Sequence, residues 1–244
     1  MSSRVIGGIV FVGIAVTIGG FFLFRNNQMQ QDDSALLPTQ PLPIEPTTRP
    51  SGHLDISVCT PSNEYFSTII DNTYFPLSVG QQSVLQDGGD LVKITVLDEM
   101  ETVAGVETRV VEEREWEEGE LVEVSRNFFA QAPDKTVCYF GEDVDIYSGE
   151  EIISHEGAWR AGVGENKPGI IMPGIPTTTQ SYQQEVAPGV ATDSATHDSF
   201  EESFATPDGT FYDVLLVEET PASTKRYAPG IGLIFDDGAV LISY

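Results

Sequence analysis

Between Arg4 and Arg25 the chain runs for twenty residues, Val5 to Phe24, without a charge, and Thr17 is the one polar side chain among them. A helix rises about 1.5 Å per residue, so a run of this length matches a hydrocarbon core roughly 30 Å thick. Residues 5–24 are therefore expected to form a transmembrane helix. The run ends in Phe21-Phe22-Leu23-Phe24-Arg25-Asn26-Asn27 and offers no small-x-small cleavage site, which points to an uncleaved signal anchor over 1–25. No cysteine follows within a few residues, so a lipid-modified N-terminus is not expected. Arg4 and the α-amino group outweigh Arg25, which places the N-terminus inside and the rest of the chain outside, as a single-pass protein with an extracytoplasmic C-terminal domain.

Residues 26–54 contain Leu37-Pro-Thr-Gln-Pro-Leu-Pro-Ile-Glu-Pro-Thr-Thr-Arg-Pro50, rich in the prolines that favour extended polyproline conformations and poor in apolar side chains. They read as a linker. Within 1–54, Arg4, Arg25 and Arg49 balance Asp32, Asp33 and Glu45, so the whole formal charge of −26 falls on residues 55–244. A surface that negative repels phosphate backbones and anionic headgroups, which disfavours nucleic acid as a partner and leaves the membrane to the anchor alone. Cations, basic partners or a saline medium are the compatible surroundings.

Residues 55–244 read as one extracytoplasmic acidic β domain. From Gly80 onward short apolar or alternating runs are broken by turns every ten or so residues, without a period of 3.6, which predicts an antiparallel, mostly β architecture: a strongly curved sheet or an open or half barrel. Val92, Ile94 and Val96 alternate with Lys93 and Thr95. Glu117-Glu118-Gly119-Glu120 predicts a hairpin turn whose second strand sends Val122, Val124 and Phe128 inward and leaves the acids outside. Val214 to Val217 is apolar on both faces and belongs near the centre of a sheet. Asp236-Asp237-Gly238 predicts the last hairpin. A short helix is expected over 63–70, where Tyr65, Phe66, Ile69 and Ile70 make an apolar stripe.

Between Ala161 and Gln180, Gly162, Gly164, Pro168, Gly169, Pro173, Gly174 and Pro176 break any strand, yet Ile170, Ile171, Met172 and Ile175 are apolar. A long ordered loop of this kind either plugs the mouth of a curved sheet or covers a cavity. With the nearby Trp159, these four residues are the candidate binding residues for an apolar ligand. Cys59 and Cys138, an even pair in an exported domain, are expected to form a disulfide; two buried free thiols are the alternative. A bridge there closes a loop of about 80 residues, worth ~4 kcal/mol in the chain-entropy picture.

Catalytic chemistry has no foothold in the sequence. His53, His155 and His197 stand at no metal-ligand spacing, Ser154 and His155 point to opposite faces of one strand, and no Gly-x-Ser-x-Gly elbow or phosphate loop occurs. Glu142, Asp143 and Asp145 lack the alternating oxygen ligands of a calcium loop and read as a solvated hairpin rim. No cofactor, metal site or catalytic residue is expected.

The segments Asp71-Asn-Thr-Tyr-Phe-Pro-Leu-Ser-Val-Gly80, Tyr139-Phe-Gly-Glu-Asp143, Gly157-Ala-Trp159, Pro168-Gly-Ile-Ile-Met-Pro173 and Tyr227-Ala-Pro-Gly-Ile-Gly232 follow one another across residues 65–244. Together they resemble a family of exported bacterial and archaeal β-rich domain proteins of unknown function. This chain differs in having a helical anchor and a cysteine at position 138. The resemblance implies a single extracytoplasmic β domain and transfers no site residue. Two functions fit: a binding protein that takes an apolar ligand or a partner segment on the concave face of its sheet, or a structural or interaction protein of the cell envelope, meeting another envelope protein, whose concave face is filled.

Overall fold

The computed structural model describes residues 52–61 and 66–244. The expected anchor over 5–24 and nearly all of the linker lie outside them. Among the described residues no helix is long and apolar enough to cross a membrane.

Antiparallel strands dominate. One turn of 3-10 helix, Ile56–Cys59, is capped by Asp55, whose carboxylate accepts from the Ser57 N–H. Strands β1 (Ile70–Asp71) and β2 (Pro76–Leu77) pair with each other. A single sheet takes up the rest: β3 (Gln82–Asp87), β4 (Asp90–Val103), β5 (Val106–Glu117), β6 (Glu120–Gln131), β7 (Val137–Ser148), β8 (Glu151–Ser154), β9 (Trp159–Arg160), β10 (Lys167–Met172), β11 (Ser181–Gln183), β12 (Glu185–Val186), β13 (Ser194–Thr206), β14 (Gly209–Thr220), β15 (Ser223–Ala228), β16 (Gly232–Asp236) and β17 (Ala239–Ser243). Its order is β11-β13-β14-β15-β16-β17-β3-β4-β5-β6-β7-β10-β12, with β8 and β9 also on β7.

The two ends of that path, β11 and β12, are separated in the chain by Gln184 alone. One short segment pairs on its first half with β13 and on its second with β10, so the curved sheet is all but closed into a barrel. Closure depends on Gly169. A Cβ there would sit 2.2 Å from the carbonyl oxygen of Gln184, closer than nonbonded atoms tolerate. Gly169→Ala must therefore push the 183–185 backbone off β10, and we expect a loss of about 3 kcal/mol, at the upper end for overpacking a tight site. Urea unfolding checks this, with faster amide exchange over 181–186; a variant as stable as the parent would show that the closure does not rest on this contact.

The sequence anticipates the hairpins well. The β5–β6 turn falls at Glu118-Gly119, both at positive φ, and the β16–β17 turn at Asp237-Gly238, again both positive, as the tight turns that match strand twist require. Cys59 and Cys138 are joined by a disulfide with Cα atoms 5.5 Å apart, tying the first helical turn to β7. The chain enters the fold slightly before position 55: Leu54 N–H donates to Ser181 O, and His53 bridges Ser181.

Three expectations are corrected. Residues 66–70 are not helical: Ser67 bridges Gln131, its Oγ accepts from the Ile69 N–H, and Ile70 begins β1, while Ile69 stays exposed; residues 62–65 lie outside the described part. The segment taken for an unbroken loop contains β10, because Pro168 and Gly169 sit at its start and leave Ile170 free to pair with Cys138 of β7. Glu142, expected on a solvated rim, is fully buried.

Candidate functional site

The ladder registers decide which side chains share the concave face, because residues opposed across antiparallel strands point the same way. Ser83 opposes Ile94, Ile94 opposes Glu113, Glu113 opposes Ser125, and Ser125 opposes Val144. One step along, Leu85 opposes Val92, Val92 opposes Glu115, and Glu115 opposes Glu123. In the other direction Val111 opposes Asn127, Asn127 opposes Glu142, and Glu142 opposes Trp159. Across the barrel, Val217 opposes Lys225 and Lys225 opposes Asp236. The interior face is thus read out as carboxyl groups among apolar side chains.

This reverses the expected hairpin. Val122, Val124 and Phe128 lie on the outer face of β6, where the Arg160 guanidinium covers Phe128 at 4.6 Å, and Glu123, Ser125 and Asn127 point inward. Glu113, Glu115, Glu123, Glu142 and Glu185 are buried, as are Asp193, Glu219 and Asp236. Lys225, 2 % exposed, is the cation among them; its Nζ donates to both oxygens of Asp236 at 2.8 Å and lies 3.7 Å from Glu219 Oε2. Burial works against that ammonium, but Asp236 and Glu219 outweigh it and raise its pKa.

Several of the other carboxyls are raised by their burial. Burial pushes Glu185 up to about 9, helped by the charges of Asp193 and Glu219. It pushes Glu123 up to about 7 and Asp193 up to about 6. Glu142 is raised by burial and then by Glu185 and Glu123, and Glu115 by burial and then by Glu113 and Glu123. Both oxygens of Glu142 and both of Glu185 lack a hydrogen bond. The nearby Tyr139 hydroxyl gives its one proton to Asn127 Oδ1 at 2.7 Å, and the Trp159 indole N–H, close to Glu185, works against the rise that burial causes there. At neutral pH Glu185 therefore keeps its proton, Glu123 is near its midpoint and Asp193 is largely ionised. Among the described residues no three of them converge as metal ligands do.

At one end of the interior the acidic layer gives way to a small, partly open apolar cleft with a cavity volume of about 40 Å³. Its walls are Phe75 and Leu77 from the β1–β2 hairpin, Ile94, Val96 and Val111 from the concave face, and Leu233 from β16; Ile231 stands at its edge, and Ser83 and Gln81 are its polar members. Ile94 and Val111 are at once walls of the cleft and neighbours of Glu113, the first across the ladder and the second two positions earlier in β5.

The residues singled out in the sequence are elsewhere. Ile170, Ile171 and Met172 are 1 %, 2 % and 0 % exposed and belong to the core, whereas Ile175 is 64 % exposed at the surface. Trp159 is buried against Tyr139, ring centroids 5.4 Å apart, beside Glu142. None of the five lines the cleft. Its lining was legible in part, since Phe75 and Leu77 lie in one of the motifs and Ile94 and Val96 on the best alternating strand; no sequence signal joins them to Val111 and Leu233. His197 is fully buried, with Tyr182 Oη 3.0 Å from Nε2 and Thr177 O 3.1 Å from Nδ1, and burial lowers its pKa to about 4, so it is a neutral structural ring.

Compared with known proteins, the chain matches no family model, no curated protein and no solved structure.

Proposed function

We propose that this chain is a membrane-anchored extracytoplasmic binding protein whose domain takes a small, largely apolar ligand into the cleft at the end of its curved sheet. The cleft carries the reading: a concave apolar surface of this kind, flanked by a few polar groups, is what small-ligand sites are built from. The address is supported by the uncharged run 5–24, the proline-rich spacer, the acidic domain and the Cys59–Cys138 bridge, which suits an oxidising compartment. The binding residues proposed are therefore Phe75, Leu77, Ile94, Val96, Val111 and Leu233, in place of Trp159 and 170–175.

Toluene is a suitable first probe because it is neutral and compact. Titrated into the methyl-labelled protein, it should shift the resonances of Ile94, Val96, Val111 and Leu233 and leave those of Ile170 and Ile171 in place. Ile231→Trp, at the half-buried edge of the cleft, should fill the space and abolish the shifts while the melting temperature stays the same. Cleft methyls that do not respond in the parent protein would remove the basis for a binder and favour the structural reading of the envelope domain.

A further inference from the structure

A second cavity shares no lining residue with the cleft. It has a volume of about 410 Å³, is partly open, and is walled by the first helical turn with its Asp55 cap, by the turn around Gly162 and Asn166, and by the start of β10. A space of that size is what a small-molecule site offers. Its walls are fixed before any ligand arrives. Cys59 ends the helical turn and is bonded to Cys138 of β7, and Cys138 opposes Ile170 of β10, so the turn is held beside that strand. On the other side the Gly162 N–H donates to Asn166 O at 3.0 Å and closes the 162–166 turn. We propose that this cavity binds a free amino acid with an apolar side chain, its carboxylate on Lys167, its ammonium on Asp55 and its side chain on Ile56, Pro61 and Pro168. The site is separate from the cleft and does not depend on it.

Two observations select that class. The first is the charge in the wall. Asp55 and Lys167 are its two charged members, and among the described residues they form no ion pair with each other. The Ser57 N–H donates to Asp55 Oδ1 at 2.8 Å, which fixes the carboxylate, and a carboxylate has lone pairs for further donors. The second is the hydrocarbon between them: Ile56, Pro61 and Pro168 bring no polar side-chain atom to the wall. A guest that answers both carries a positive and a negative head on an apolar body. An acid without the ammonium meets Lys167 but is repelled by a chain of formal charge −26. An amine without the carboxylate is drawn to the domain, yet it brings its charge up to Lys167 as well. A zwitterion carries no net charge, and each of its heads finds the opposite charge in the wall.

L-leucine, 4-methylpentanoate and 3-methylbutylammonium share one hydrocarbon body and carry, in turn, both heads, the carboxylate alone and the ammonium alone. Each is titrated into the full chain with its isoleucine methyls labelled. Leucine should shift Ile56 and leave Ile94 and Ile231 of the cleft in place. It should bind at least about tenfold more tightly than either analogue, in keeping with a hydrogen bond to a charged group at each head. Lys167→Gln should bring leucine down to the affinity of 3-methylbutylammonium, and Asp55→Asn, which still caps the turn, to that of 4-methylpentanoate. Melting temperatures read in parallel confirm that the fold is intact. An analogue that binds as tightly as leucine, or a leucine preference that survives both substitutions, overturns the assignment to an amino acid. Shifts at Ile94 in place of Ile56, or no response of Ile56 to any of the three, remove this cavity as a site, and neither result touches the toluene titration of the cleft.

Discussion

Lys225→Met should lower the unfolding free energy of the domain by about 3–5 kcal/mol at pH 7, the cost of leaving a buried acid without its counter-charge. The ammonium is 2 % exposed and donates to both oxygens of Asp236 at 2.8 Å, so methionine fills the volume but leaves the Asp236 carboxylate bare. The same change in an Asp236→Asn background should cost less, because the acid that accepts both hydrogen bonds is gone and Glu219, 3.7 Å from the ammonium, remains as an ion-pair partner. Acid should soften the single substitution as well. Burial already pushes Asp236 up to about 6 despite Lys225, and without the lysine it will protonate more readily still. Denaturant unfolding of the two single variants and the double variant at pH 5 and pH 7 gives the coupling; a loss under about 1 kcal/mol at pH 7 would mean that the pair contributes no more than a surface ion pair.

The second large effect is a stability that falls as pH rises. In the unfolded chain Glu185 and Glu123 release their protons near the usual 4.5 and Asp193 near 3.8, whereas in the folded domain they hold them to about 9, about 7 and about 6. Glu142 and Glu115 are raised in the same direction. Over that window the folded state binds more protons than the unfolded state, so unfolding releases protons and each increment of pH favours it. The stabilisation is fully present below the unfolded pKa values and is lost as pH climbs through the folded ones, with Glu185 the last to go. His197 opposes this: held neutral down to about 4, it favours the folded state less as pH falls from 6.5. One histidine over that interval is outweighed by five carboxyls, and the net loss from pH 5 to pH 8 should be on the order of several kcal/mol. Thermal melts at low and high salt measure it. A midpoint at pH 8 equal to or above that at pH 5 would show that the interior acids are solvated and charged.

How far the sequence reveals this molecule depends on what each signal measures. Turn chemistry is local, so Glu118-Gly119 and Asp237-Gly238 announce their hairpins from two residues apiece. Alternation is local as well: Val92, Ile94 and Val96 share a face in the structure as they do on paper. Which face is inside is a property of the closed sheet. On β6 both faces are covered, Phe128 by Arg160 and Asn127 by Tyr139, so the usual rule that acids mark the outside chose the wrong one. The stretch 161–180 misled for a related reason. Pro168 and Gly169 look like breakers, but here the glycine is what lets the 183–185 backbone lie against β10, a contact between segments that no window of sequence displays. The cleft suffers most, since its walls come from positions as far apart as Phe75, Val111 and Leu233.

The strand order carries a consequence for how the domain is made. β17, residues Ala239–Ser243, lies between β16 and β3 in the middle of the sheet, so the ladder that joins the two halves of the barrel pairs Val240 with Gln86 and Leu241 with Leu85. A chain that emerges N-terminus first, from a ribosome or through a pore, has made β3 to β16 long before it can complete that seam. Until residues 239–243 arrive, β3 and β16 each present an unpaired edge. Formation of the barrel is therefore a late, long-range event that dominates the contact order and slows folding. The barrel of such a domain closes only once β17 has been made.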